Sequence, residues 1–171
     1  MNFTKNVITL LVISNIGFTF FSCSPKYILD KNGEPIKILV IVDKNYEDLN
    51  KAHKFNRDFL ASFIQDDLKR KFKKENLLAV PSDSSKMQIN ENLNHYILVV
   101  KIDRYKAKKS THGMGPGILY LNYSLKYENN LLINDSKLNI SSVMGGTYCA
   151  KRLNETIVKD VSNQINKGLV P

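Results

Sequence analysis

The chain has 171 residues, and its 25 Lys and Arg against 16 Asp and Glu give a formal net charge of +9 at pH 7. This length is enough for one domain with a substantial core and too short for two comfortable ones. The basic excess favours nucleic acid, anionic lipid headgroups or acidic proteins as partners, without selecting among them.

Residues 1–22 have the pattern of an export signal. Lys5 is their one charged residue, and it precedes the apolar run Val7–Ile13. A basic start followed by an apolar segment is typical of secretion signals. Ser14 and Asn15 interrupt the apolar stretch, and a transmembrane helix needs about 20 apolar residues. We therefore predict a cleaved signal peptide over residues 1–22.

The end of this signal resembles that of bacterial lipoproteins. Ser22 matches the small residue that precedes the lipidated cysteine in that family, and Phe20 stands where the family usually has Leu or Val. The resemblance implies cleavage between Ser22 and Cys23, a diacylglyceryl thioether on Cys23 and acylation of its amine. Two or three acyl chains anchor a protein stably. The alternatives are an uncleaved anchor and a plain secretory signal with an incidental cysteine.

The same resemblance implies a location in the bacterial cell envelope. Ser24 follows the cysteine, and by the enterobacterial sorting habit it directs the protein to the outer membrane, facing the periplasm. Export makes nucleic acid the least favoured partner. A lipidated Cys23 cannot pair with Cys149, which is then the only thiol of the mature chain. We expect Cys149 to be a small structural hydrophobe, because no histidine lies near it in sequence.

The mature chain has 171 − 22 = 149 residues and a net charge of 24 − 16 = +8. Residues 23–35 are predicted to form the lipidated cysteine and a flexible tether, since Pro25, Gly33 and Pro35 break regular structure there. Residues 36–171 are predicted to form a single domain. The domain opens with the stretch IKILVIVD, which is apolar on both faces, as in a central strand.

Alternating and helical patterns follow in order along the domain. A helix from about His53 to Lys74 presents an apolar stripe, with Asp66 and Asp67 among its polar positions. Two strands follow, in NLLAVPSD and HYILVVKIDRYKA. A hairpin over residues 118–140 has one polar face, and a second amphipathic helix begins near Thr147.

The predicted order is β-α-β-β-β-β-α. We expect an α+β two-layer sandwich, in which a mixed, mostly antiparallel sheet has both long helices on one face. This plan resembles that of envelope lipoproteins with sheet-plus-two-helix domains, such as the TolB amino-terminal domain and the lipopolysaccharide-assembly lipoprotein LptE. The likeness covers most of residues 36–169 and includes no catalytic signature.

The residue types that support catalysis are scattered. His53, His95 and His112 lack metal-ligand spacing, so no metal and no cofactor is expected. The stretch GMGPG lacks the Lys-Ser/Thr of a P-loop, and we predict a mobile loop that includes His112, Gly113, Met114 and Gly115, with a ligand-binding loop as the alternative. We therefore predict that the protein is not an enzyme.

Two basic segments are candidate anionic-surface contacts. They comprise Lys69, Arg70, Lys71, Lys73 and Lys74, and Lys101, Arg104, Lys106, Lys108 and Lys109. Solvated faces of a helix and a strand end explain the same charges equally well. Three functions stay open: a membrane-anchored protein that docks a protein partner in a membrane complex, a carrier of anionic lipid or glycolipid, and an unrecognised hydrolase.

Overall fold

The computed structural model describes residues 26–43, 47–48, 55–82, 95–107, 117–128, 130–141 and 146–169. The signal segment, Cys23, His53, Lys108, Lys109 and the loop of His112–Gly115 lie outside the described residues. Among the described helices, none is both long enough and apolar enough to span a membrane.

The elements follow the predicted order, with one short strand added. They are β1 (Lys37–Asp43), β2 (Glu47–Asp48), α1 (Phe55–Lys74), β3 (Leu78–Ser82), β4 (Tyr96–Ala107), β5 (Gly117–Tyr127), β6 (Asn130–Ser141) and α2 (Gly146–Leu169). The two-residue β2 was not predicted, because so short a strand leaves no periodic pattern in the sequence.

The strands form one mixed sheet in the order β3-β1-β4-β5-β6, and β2 also pairs with β4. Strand β1 is parallel to both β3 and β4. The two longest ladders, β4 with β5 and β5 with β6, are antiparallel. Both helices pack on one face of this sheet, α1 near β1 and β3 and α2 near β5 and β6. The α+β two-layer prediction is confirmed.

The core lies between the sheet and the helices. Val40 and Leu98 from the sheet, Ile64 and Phe72 from α1, and Ile157 from α2 have no exposed surface. Each fully buried side chain of this kind contributes about 1.5–3 kcal/mol through removal of apolar surface from water. This apolar layer holds both helices in place on the sheet.

One acidic residue of α1 lies in the interface between the helices rather than in solvent. Asp67, predicted at a polar position, is only 4% exposed. Its carboxylate accepts hydrogen bonds from Nδ2 of Asn154 on α2, at 3.0 Å, and from Nη2 of Arg70, at 2.5 Å. The correction follows from the packing of α2, which covers a position that helical periodicity alone would leave exposed.

The described part of the predicted tether, residues 26–35, packs against the domain. Ile28 N donates to Asn76 O at 2.8 Å, and Ile36 N donates to Ile28 O at 2.9 Å. Leu29 pairs with Pro35, and Gly33 adopts a φ of 80° in the turn between them. A glycine adopts this backbone conformation without steric cost. Residues 28–36 therefore form a hairpin that packs against the folded domain, ahead of the boundary predicted at Ile36.

Candidate functional site

The two ends of the domain differ in what they present. The hairpin of residues 28–36 contacts Asn76, just after α1 ends, and β1 and β4 start at this end. Strand β5 ends here, and Gly168, near the end of α2, lines a cleft with Tyr96 and Tyr127. We call this the hairpin end. The opposite end, where β4 and β6 finish and α2 begins, is the far end.

The two predicted basic segments lie towards opposite ends. Lys73 and Lys74 end α1 at the hairpin end, whereas Arg104 and Lys106 are among the last four residues of β4, at the far end. Ten residues separate Lys106 from Tyr96, or about 33 Å along an extended strand. Charges are screened within about 8 Å at physiological ionic strength. Lys73 and Lys74 therefore do not form one anionic-binding surface with Arg104 and Lys106.

Part of the first basic segment is used within the fold. Lys71 Nζ lies 2.8 Å from Glu155 Oε1 on α2, and this contact lowers the pKa of Glu155 below its usual value. Arg70 pairs with Asp67. Lys69, Lys73 and Lys74 are exposed, and no described residue forms an ion pair with them. Of the five predicted contacts, Lys71 is therefore largely taken up within the fold, since its side chain is 15% exposed, whereas the Arg70 side chain stays 63% exposed beside Asp67.

A β-bulge directs the second basic segment to the outer face of the sheet, the face without helices. The pairing of β4 with β5 shifts register between Ile102 and Arg104, so that Asp103 is an extra residue. Strict alternation from Leu98 would have turned Arg104 towards the core. A bulge re-aims the side chains that follow it. Arg104 and Lys106 consequently face outward, and Tyr105 is buried.

Apolar side chains adjoin these two basic residues on the outer face. Tyr120 lies opposite both Arg104 and Leu138, and Ile118 lies opposite both Lys106 and Ile140. Directly opposed residues of antiparallel strands point to the same face. Leu138 is 54% exposed and Ile140 is 66% exposed. We call the resulting surface the far-end patch; its members are Arg104, Lys106, Ile118, Tyr120, Leu138 and Ile140.

The far-end patch adjoins an unprotected sheet edge. Strand β6 has twelve residues, contains no proline, and pairs only with β5 within the described part of the chain. The opposite edge is formed by β3, which has five residues including Pro81, and whose Ser82 O accepts a hydrogen bond from Gln65. Long edges with exposed apolar residues are available for pairing with another chain.

A polar cluster joins α2 to the hairpin of β5 and β6. The Tyr123 hydroxyl donates to Asp160 Oδ2 at 2.7 Å, and Lys137 Nζ lies 2.7 Å from Asp135 Oδ2 and 3.5 Å from Asp160 Oδ2. Burial and the Asp160 carboxylate raise the pKa of Tyr123 far above its ordinary value. A tyrosine that stays neutral and donates a hydrogen bond is suited to holding elements together. Strand alternation puts Tyr123 on the same face as Leu121 and Leu125, but no local pattern in the sequence identifies its partners.

The thiol of Cys149 belongs to the hydrophobic core. Cys149 is buried with its Sγ 3.8 Å from Gly117 O, and burial raises the pKa of its thiol. A raised pKa disfavours the nucleophilic thiolate. No group of three or more metal-binding side chains occurs among the described residues. At the hairpin end, a cleft of about 510 Å³ is lined in part by Lys31, Glu34 and His95, and the rings of Tyr96 and Tyr127 stack beside it at 4.6 Å.

No family model matches this sequence, and no curated protein matches it. Solved structures share its fold. Protein CT253 from Chlamydia trachomatis is 10% identical, with a TM-score of 0.51, over 75% of this chain and 98% of that one. Protein XCC0632 of the DUF330 family from Xanthomonas campestris is 9% identical, with a TM-score of 0.51, over 84% and 95%.

Lipoprotein GNA1162 from Neisseria meningitidis is a more distant structural neighbour. It is 12% identical, with a TM-score of 0.45, over 78% of this chain and 99% of that one. Such structures come from bacteria, and lipoproteins are among them. The narrower likeness to the TolB amino-terminal domain and LptE stays a prediction.

Proposed function

We propose that this protein is a lipid-anchored, non-enzymatic protein of the bacterial envelope whose domain docks a protein partner in a membrane complex. Cys23 provides the anchor, and Ser24 directs the protein to the outer membrane, with the domain in the periplasm. The single observation that supports docking is the far-end patch beside the open edge of β6. Exposed Leu138 and Ile140 lie there at the margin of a surface that also presents Arg104 and Lys106.

The chemistry of this patch selects the kind of partner. Apolar contact area contributes most of the free energy at a protein interface, while charges at the rim set orientation and association rate. Arg104 and Lys106 give the patch a basic side, so the partner presents an apolar surface flanked by Asp or Glu. A lipid carrier fits less well, because its basic residues would need to act together and they lie towards opposite ends.

Site-specific photocrosslinking in cells tests the docking proposal. A photoreactive amino acid is substituted at Leu138 in one strain and at Leu131 in another. Leu131 is the matched control, since it lies at the other end of β6 and is 55% exposed. We expect one envelope protein to crosslink stoichiometrically from position 138 and not from position 131. Charge reversal by Arg104→Glu and Lys106→Glu should weaken this crosslink.

Two outcomes contradict the docking proposal. Equal yields from both positions would indicate random collision, and adducts containing only copies of this chain would indicate self-association. The anchor is tested separately through the mature mass. Loss of the thiol in Cys23→Ala should leave the precursor uncleaved or release the protein from the membrane. An unchanged mature mass would refute the lipid anchor.

A further inference from the structure

The hairpin end presents an apolar residue among lysines, close to the predicted lipid. Leu29, in the hairpin of residues 28–36, is 52% exposed. Lys26 and Lys31 flank it in sequence, and both are exposed. An exposed apolar side chain between cations suits the boundary between headgroups and acyl chains, where the apolar part inserts and the cations meet phosphate.

The chain between the anchor and the folded body is short. Lys26 lies three positions after Cys23, which places it within about 11 Å of the lipidated residue even when the chain is fully extended. Two residues later, Ile28 is hydrogen-bonded to Asn76 and so belongs to the folded body. The anchor therefore acts on the hairpin end directly, and not through a tether of about a dozen residues.

The charge at the hairpin end is complementary to an anionic membrane. Among the described residues, seven lysines lie there: Lys26, Lys31, Lys37, Lys73, Lys74, Lys126 and Lys167. Four acidic residues accompany them: Asp30, Glu34, Glu75 and Glu128. The balance is 7 − 4 = +3. Juxtamembrane lysines are attracted to anionic headgroups within about one Debye length of the surface, and the anchor would hold Lys26, the first of these lysines, close to the headgroups.

We propose that the hairpin end is a second membrane-binding site, in which Leu29 inserts between anionic phospholipid headgroups and the surrounding lysines contact their phosphates. This inference rests on the lipid anchor of the proposed function. It orients the domain with the hairpin end on the bilayer. Lys106 then lies about 33 Å further along β4, so the far-end patch projects away from the membrane towards its partner.

Tryptophan fluorescence tests this orientation cleanly, because the chain contains no tryptophan. Leu29→Trp places a single probe at the hairpin end. Leu138→Trp is the matched control, since the two leucines are 52% and 54% exposed. Each mature, lipidated variant is reconstituted into phosphatidylcholine vesicles whose tails carry bromine, a quencher of tryptophan, with and without phosphatidylglycerol.

We expect the tryptophan of Leu29→Trp to be quenched several-fold more than that of Leu138→Trp, and more strongly when phosphatidylglycerol is present. Adding Lys26→Glu and Lys31→Glu should reduce the quenching. Equal quenching of the two probes would overturn the inference. Quenching of Leu29→Trp that is the same with and without phosphatidylglycerol, and the same with and without the charge reversals, would also overturn it. Urea midpoints matched to the wild type establish that both variants fold.

Vesicle flotation separates the two proposals. If the lipidated wild-type protein floats with vesicles and residues 23–171 carrying Cys23→Ala, produced without the signal segment, do not, the anchor holds, and the fluorescence result tests the hairpin end alone. If the mature wild-type protein lacks the lipid, the proposed function fails first. If the protein floats but the probe in Leu29→Trp is not quenched, the anchor stands and the membrane contact of the hairpin end is refuted.

Discussion

Removal of one hydroxyl group measures how strongly α2 is held to the sheet. Tyr123 is 2% exposed, and its hydroxyl donates to the Asp160 carboxylate at 2.7 Å. Tyr123→Phe keeps the ring in place and leaves no cavity, so the lost hydrogen bond is the main change. A hydrogen bond to a charged group contributes about 1.5–3 kcal/mol to stability.

The expected magnitude lies at the lower end of that range. The Asp160 side chain is 35% exposed and has Lys137 Nζ at 3.5 Å, so water and the ammonium group replace part of the lost interaction. We therefore expect Tyr123→Phe to lower the free energy of unfolding by about 1.5 kcal/mol. Urea unfolding of the mature protein, followed by far-UV circular dichroism, measures this change.

A matched variant and a double-mutant cycle complete the test. Tyr120→Phe removes a hydroxyl group from the outer face of the sheet, where no described residue forms a hydrogen bond with it. This variant should change the free energy of unfolding by less than about 0.5 kcal/mol. Combining Tyr123→Phe with Asp160→Ala should reveal a coupling of about 1 kcal/mol. Equal losses from the two tyrosines, or strict additivity in the cycle, would refute the role assigned to this hydrogen bond.

Two further predictions concern the helix interface and acid stability. Asn154→Ala removes the Nδ2 donor from buried Asp67 and should lower the free energy of unfolding, measured with urea, by about 2 kcal/mol. Thr156→Ala, at an exposed position of the same helix, should cost less than about 0.5 kcal/mol. Similar losses from the two variants would contradict this account. Contacts with Lys137 and Lys71 lower the pKa values of Asp135 and Glu155, so the stability from these pairs is present above the ordinary values of 3.8 and 4.5 and is lost as the pH falls through the lowered ones. The Glu155 and Asp135 side chains are 63% and 47% exposed, so Glu155→Gln with Asp135→Asn should cost less than about 1 kcal/mol per pair near neutral pH, and this cost should vanish in acid; a cost independent of pH would be inconsistent with it.

Local patterns of the sequence were sufficient for the secondary structure and the fold class. The alternation of residues in β5 and the helical spacing of Ile157, Val161 and Ile165 depend only on the periods of strand and helix. Apolar residues recur with those periods wherever one face of a strand or helix is buried. The ending at Ser22 and Cys23 is likewise a local signal, and the anchor derived from it stays a prediction.

Longer-range packing decided the surfaces, because it brings together residues that no local period relates. The bulge at Asp103 turned Arg104 outward, and the approach of α2 buried Asp67. The hydrogen bond from Ile28 N to Asn76 O holds part of the predicted tether against the domain. Neighbours along the chain do not determine such contacts, since their free energy depends on which distant groups the fold places opposite them.

The sequence by itself determined the element types, the basic net charge and the prediction of a lipid anchor at Cys23. Only the tertiary structure decided where that charge lies. It placed Lys73 and Lys74 at the hairpin end and Arg104 and Lys106 at the far end, and it set Leu29 among exposed lysines at the hairpin end. Strand direction is the physical reason. Strand β4 runs from the hairpin end to the far end, so about 33 Å of extended chain separates Tyr96 at its start from Lys106 near its end.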